Sequence, residues 1–92
     1  MTGDDRPRVR LYSSEFCSFC FAARRLLEEA GADYEEIALD DDPELHRRVA
    51  ETAGGWSTVP MIFIGDEFVG GFAELLALHR SGRLAELLEG AA

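Results

Sequence analysis

Residues 8–20 read RVRLYSSEFCSFC, and the fold follows from how this stretch divides. From Arg8 to Ser13 basic or polar residues alternate with apolar ones, the period of a strand with one solvated side. Beyond the cysteines, Ala23, Leu26, Leu27 and Ala30 recur at i, i+3, i+4 and i+7, the period of a helix, and Gly31 closes it at a C′ position. A strand therefore hands over to a helix, with Cys17 and Cys20 at the junction.

Working outward, Asp33 to Leu39 alternates acidic and apolar residues loosely and reads as a second strand. Asp40-Asp41-Asp42-Pro43 supplies a helix N-cap with proline at N1, which predicts a helix from Pro43 to Ala53, ended by Gly54-Gly55. Pro60 to Ile64 is a buried strand, Gly65-Asp66 a hairpin turn, and Glu67 to Val69 the return strand. The last third is helical: Phe72, Leu75 and Leu76 share a face, Ser81-Gly82 interrupts, and Leu84, Leu87 and Leu88 form a final amphipathic turn or two. The order β-α-β-α-β-β-α makes the first two strands parallel, because a helix joins them, and the hairpin strands antiparallel. The expected class is α/β, a four-stranded mixed sheet with helices on both faces.

The whole chain has 92 residues, enough for one core and too few for two, so residues 8–92 are expected to form one domain behind a loose tail at residues 1–7. Eighteen acids against nine bases give a formal charge of −9, a field that repels phosphate backbones and anionic headgroups. Nucleic acid and membranes are thereby excluded as expected partners. All nine bases are arginine, so no lysine amine is available for Schiff-base chemistry. The polar start MTGDDRPR lacks the apolar run of a leader, and the longest apolar run, Val59 to Ile64, is far too short to span a bilayer. A cytoplasmic protein is expected.

Two cysteines separated by two residues can build neither a disulfide framework nor, within one chain, a four-thiolate metal site. At a helix start, however, the unpaired N–H groups of the first turn point at the Cys17 sulfur and stabilise a thiolate. The i, i+3 spacing brings Cys20 close enough to attack a mixed disulfide on Cys17, which is what a reversible dithiol cycle requires. On this reading Cys17 is the exposed nucleophile and Cys20 the shielded resolver. Two other readings stay open at this point: a pair of buried small hydrophobes, or half of a metal site completed by another chain. Phe16 and Phe19 flank the junction and are expected to form an apolar rim, while Tyr12, Trp56 and the other phenylalanines are assigned to packing. His46 and His79 lack a partner pattern and are assigned neither catalysis nor metal binding.

Ser57-Thr58-Val59-Pro60 stands directly before the buried strand, a place where proline is tolerated. Taken alone, these residues favour an ordinary trans imide. Taken together, the strand ending near Tyr12, the CSFC dithiol, the triplet Thr58-Val59-Pro60 and Gly70-Gly71 before the next helix resemble the glutaredoxin family of the thioredoxin fold, over Arg8 to Leu88. The resemblance implies a cis Val59-Pro60 bond and attack on disulfides by Cys17; with two cysteines and no histidine pattern, no metal-ligating residue is assigned. The resemblance further implies that glutathione lies along Val59 beside Phe19, Thr58 and Pro60, with its γ-glutamyl end near Gly71, Phe72, Ala73 and Glu74. Arg47 or Arg48 is the candidate for its glycine carboxylate.

Departures from the family pattern are informative. Ser14 stands where many members have lysine, Glu15 adds negative charge, and of the acids that often follow the glycine pair only Glu74 remains. A thiolate resting mainly on the helix terminus is therefore expected. Three functions follow: a glutathione-linked thiol-disulfide oxidoreductase, a [2Fe-2S] carrier or sensor formed as a glutathione-bridged dimer because Ser18 replaces the common proline, or a redoxin reduced by thioredoxin reductase. The leading expectation is the oxidoreductase, a monomer using glutathione or another low-molecular-weight thiol as co-substrate and acting on disulfide-containing or glutathionylated proteins.

Overall fold

A computed structural model of the chain describes residues 8–89. The expected tail at residues 1–7 and the last three residues lie outside the described residues. The elements are β1 (Val9–Ser13), α1 (Ser18–Glu29), β2 (Tyr34–Ala38), α2 (Pro43–Thr52), β3 (Met61–Ile64), β4 (Glu67–Gly70), α3 (Phe72–Arg80) and α4 (Arg83–Leu88). The sheet runs β2-β1-β3-β4; β1 pairs with β2 in parallel and with β3 antiparallel, and β3 pairs with β4 antiparallel. The mixed sheet expected from the helix crossover and the tight turn is the one observed.

Alternation along β1 and β3 divides the core. Val9, Leu11, Ile62 and Ile64 point to one face and meet Ala23, Leu26 and Leu27 of α1, Leu75 of α3 and Leu84 of α4. Tyr12, Met61 and Phe63 point to the other and meet Val49 of α2 and Leu39. Each fully buried aliphatic side chain contributes about 1.5–3 kcal/mol, so this two-sided burial holds the helices to the sheet.

Local signals set the boundaries. Asp42 caps α2 by accepting from the Leu45 N–H at 3.0 Å, with Pro43 in the first turn. Gly82 takes φ +81° between α3 and α4, which lets the chain break direction and fold Leu84 back against the α1 side of the core. β4 extends through Gly70, where φ is +126°, a conformation that favours glycine.

Candidate active site

Cys17 is the N-cap of α1, with extended backbone angles, and its Sγ accepts from the Cys20 N–H at 3.1 Å. The two cysteines are joined as a disulfide with their Cα atoms 5.2 Å apart. Cys17 is half-buried, whereas Cys20 is fully buried on the inward side of α1. The asymmetry has a simple origin: three residues on from the cap, Cys20 falls on the stripe continued by Ala23 and Leu27, which faces the sheet. Cys17 thus sits where helix N–H groups converge and solvent reaches, and Cys20 sits behind it.

The turn that delivers Cys17 is tied down from β2. Leu39 N–H donates to the Ser13 carbonyl at 2.9 Å, and Glu15 N–H donates to Asp40 Oδ2 at 2.8 Å. Phe16 follows with φ +60°, a left-handed conformation that costs a non-glycine residue about 1–2 kcal/mol, and its side chain is 99% exposed. Beneath the turn, Arg24 of α1 forks onto Glu36 of β2 at 2.9 and 2.6 Å, and the buried Ser13 hydroxyl donates to the same carboxylate at 2.8 Å. The Arg24 hydrogen bond holds Glu36 below the usual carboxylate range against the opposing effect of burial, with Ser13 helping; the same bond raises Arg24. Burial first, then a hydrogen bond to Glu28, raises Tyr34. This network fixes the start of α1 relative to the sheet.

Beside the dithiol lies a groove of about 200 Å³. Its floor is the segment Thr58, Val59 and Pro60, in which the Val59-Pro60 bond is cis, and the Val59 carbonyl oxygen lies 4.0 Å from Cys17 Sγ. Its far wall is Gly71, Phe72, Ala73 and Glu74 at the start of α3. Phe19 reaches across from α1 and stacks on Phe72, ring centres 6.3 Å apart. The Glu74 carboxylate accepts from the Gly71 N–H at 3.0 Å and so caps α3 from inside; Gly71, having no side chain, cannot return the bond. That missing side chain has its own use, because a Cβ on Gly71 would stand 3.3 Å from the Trp56 ring. The N–H groups of Phe72 and Ala73 are first-turn donors without intrahelical acceptors.

Eight of the nine expected glutathione-contacting residues are thereby brought together, and Arg47 is not. Arg47 pairs with Glu51 one turn along its own helix at 2.9 Å and does not line the groove; Arg48 faces a separate cleft. An i, i+4 carboxylate on the same helix captures the guanidinium at little entropic cost.

Trp56, expected only to pack, stands at the site, and His46, expected to take neither a catalytic nor a metal-binding role, braces the loop that carries it. Trp56 packs edge-on against Phe68 at 5.4 Å, but it also lines the groove, and its Nε1–H donates to the Thr58 carbonyl at 3.0 Å. His46 of α2 holds the Ser57 carbonyl at 2.7 Å through Nε2, which must carry the proton because a carbonyl only accepts. Proximity in sequence to Thr58-Val59-Pro60 was the available signal for Trp56, whereas His46 had none. Of the expected aromatic rim, Phe19 belongs to the groove and Phe16 stands outside it. Among the described residues no cluster of three or more His, Cys, Asp or Glu is arranged to hold a metal ion.

Comparison with known proteins agrees with this geometry. The family model described as Glutaredoxin matches residues 9–69. A glutaredoxin of Pseudomonas aeruginosa is 45% identical over 82 residues, covering 89% of this chain and 96% of that protein. A glutaredoxin of Neisseria meningitidis is 42% identical over 81 residues, covering 87% and 94%. Among solved structures, the solution structure of glutaredoxin from Brucella melitensis superposes with a TM-score of 0.84 at 35% identity, covering 99% of this chain and 98% of that one. The crystal structure of a buckwheat glutaredoxin-glutathione complex gives 0.82 at 28% identity, covering 89% and 76%. With the dithiol at the helix start and the thioredoxin fold around it, this chain belongs to the glutaredoxin family of thiol-disulfide oxidoreductases.

Proposed function

We propose that the chain reduces mixed disulfides with glutathione as its co-substrate, Cys17 acting as nucleophile and Cys20 as resolver. The observation that carries this reading is the asymmetry of the pair: a half-buried Cys17 at a helix N-terminus, its sulfur 4.0 Å from the Val59 carbonyl of the neighbouring groove, with Cys20 fully buried behind it.

In the first step the Cys17 thiolate attacks the glutathione sulfur of a glutathionylated protein. A bond forms between Cys17 and glutathione, the protein sulfur leaves as a thiolate and takes up a proton. A second glutathione thiolate then attacks the glutathione sulfur on Cys17, releasing glutathione disulfide and restoring the Cys17 thiolate. For a protein disulfide, the mixed disulfide on Cys17 is resolved by Cys20, which expels the substrate thiolate and closes the Cys17-Cys20 bond; two glutathiones reopen it. In the groove, the peptide backbone of glutathione runs along Val59. Its γ-glutamyl carboxylate meets the Phe72 and Ala73 N–H groups, and its amine meets Glu74. Ser14 and Glu15 supply no cation, so the thiolate rests on the Cys20 N–H and the helix terminus.

The test is a glutathione-coupled reduction of a glutathionylated peptide. Cys17→Ser is expected to lose at least about a thousandfold in rate, whereas Cys20→Ser retains turnover of this substrate and loses turnover of intramolecular protein disulfides. Wild-type rates in Cys17→Ser overturn the mechanism. Replacing glutathione by thioredoxin reductase as electron source separates a glutathione-linked enzyme from a redoxin of another supply. A reducing, cytoplasmic compartment is part of the same proposal.

As to a [2Fe-2S] cluster, four thiolates are required and the sequence holds two cysteines, so the donor set fits only across two chains with external thiols. A brown dimer on anaerobic purification with glutathione would favour that reading, and a colourless monomer would remove it.

A further inference from the structure

On the α2 face of the sheet, away from the dithiol groove, lies a second cleft of about 240 Å³ that shares no lining residue with it. Arg10 and Tyr12 of β1, Arg48 of α2 and Phe63 of β3 line it, with Leu45 and Val49 as an apolar wall. The sequence carries twice as many acids as bases, yet among the described residues no carboxylate lines this cleft.

The arginines are sorted unequally over the molecule. Arg8, Arg24, Arg47 and Arg83 each pair with a glutamate. Arg10, Arg25, Arg48 and Arg80 have no carboxylate partner among the described residues, and of these Arg10 and Arg48 meet in one cleft. Arg10 is held in place: its guanidinium lies 5.0 Å from the Phe63 ring centre and donates to Tyr12 Oη at 2.9 Å and to the Gly65 carbonyl at 3.4 Å. A guanidinium has five N–H donors, so Arg10 retains three. Tyr12 Oη accepts from Arg10 and keeps its own proton to give. Two guanidinium groups and the Tyr12 hydroxyl thus offer donors to the cleft beside apolar walls, while the Thr52 hydroxyl, also in the lining, gives its proton to the Arg48 carbonyl at 3.0 Å. Such a lining is complementary to an anion with several acceptor oxygens.

We propose that this cleft is a binding site for a phosphate monoester, its oxygens held by Arg10 and Arg48 and its organic portion against Leu45 and Val49. Arg10 supplies the preorganised fork, fixed by the ring beneath it, and Arg48, exposed on α2, closes over the anion. The proposal is independent of how the dithiol is used, since the two sites have no residue in common.

The experiment follows backbone amides and arginine Nε–H signals by NMR while the full chain is titrated with phenyl phosphate or inorganic phosphate, ionic strength being held constant with chloride. Saturable shifts at Arg10, Arg48 and Val49 are expected, with phenyl phosphate binding more tightly than inorganic phosphate. Arg48→Gln, at an exposed position, is expected to weaken binding about tenfold or more, while Arg47→Gln leaves it unchanged. Arg10→Lys keeps the charge without the fork and is expected to weaken binding as well; its folded state is checked by the dispersion of the same spectrum. Non-saturating shifts, shifts confined to helix N-termini, or equal affinity in Arg48→Gln would each overturn the proposal.

Discussion

The two faces of the sheet are built from different materials. On the side covered by α1, α3 and α4 the buried cluster is aliphatic, with Cys20 buried beside it and Tyr34 and Phe72 only partly buried against it; on the α2 side Tyr12, Met61 and Phe63 are themselves buried and are joined by the partly buried Trp56 and Phe68. Aliphatic packing is insensitive to orientation and supplies burial, and here it anchors the helix that carries both cysteines. Aromatic residues with a polar edge do something further. Trp56 ties the Thr58 carbonyl and Tyr12 receives Arg10, while His46 of the overlying helix holds Ser57. The loop carrying Thr58-Val59-Pro60 is consequently braced from the aromatic side, while the cysteines are braced from the aliphatic side. The candidate site lies where the two supports meet.

This contrast can be broken most sharply on the aliphatic face. Leu27→Ala removes a fully buried side chain under α1 and is expected to lower unfolding free energy by about 2–5 kcal/mol, read from denaturant midpoints at unchanged m-value. At temperatures where the variant is folded, its mixed-disulfide turnover should remain near wild type. Trp56→Phe tests the other face. It keeps most of the packing on Phe68 and deletes the donor to Thr58, so stability should fall by no more than about 1.5 kcal/mol. Under the proposed groove assignment, KM for a glutathionylated peptide rises several-fold with kcat nearly constant, the mark of lost ground-state binding. A variant in which Leu27→Ala changes KM while Trp56→Phe changes only stability would reverse the assignment of the two faces.

The smallest effect concerns the polar network at the β2 edge. Because Glu36 titrates lower in the folded chain than unfolded, its contribution is complete above the ordinary glutamate range, about 4.3, and is lost as pH falls through the folded value. Solvent screening of a side chain that is 31% exposed limits this to about 1 kcal/mol or less. Glu36→Gln should therefore narrow the stability gap between neutral and acid pH by that amount, as measured by parallel urea titrations. An unchanged gap would mean that the Arg24 fork contributes nothing measurable and that packing alone fixes the start of α1.

Legibility of the site in the sequence varied with how local each feature is. Gly31 and Gly82 mark breaks at positive φ, Pro43 opens α2, and Gly65-Asp66 turns the hairpin, because each acts through its own backbone angles or those of its neighbours. The cysteine pair was legible for the same reason: cap and third helical residue lie within one turn. Assigning Trp56 to packing captured its contact with Phe68 and missed its exposed edge, since the same ring serves both. For Arg47, charge suggested reach toward a carboxylate ligand, but Glu51 on the same helix offered a nearer partner. His46 carried no pattern that tied it to Ser57, eleven residues away.

By itself, then, the sequence determined the order of elements, the mixed sheet and the dithiol at a strand-to-helix junction, because alternation, helical periodicity and turn chemistry are properties of neighbouring residues. Only the tertiary structure decided that Trp56 joins the groove while Arg47 stays outside it, and that Arg10 and Arg48 share a cleft. Those outcomes depend on distances between α1, α3 and the Val59 loop, and between β1 and α2, that no local rule contains. They are set when burial on both faces of the sheet brings remote segments to a fixed separation and each polar group takes the nearest partner within reach.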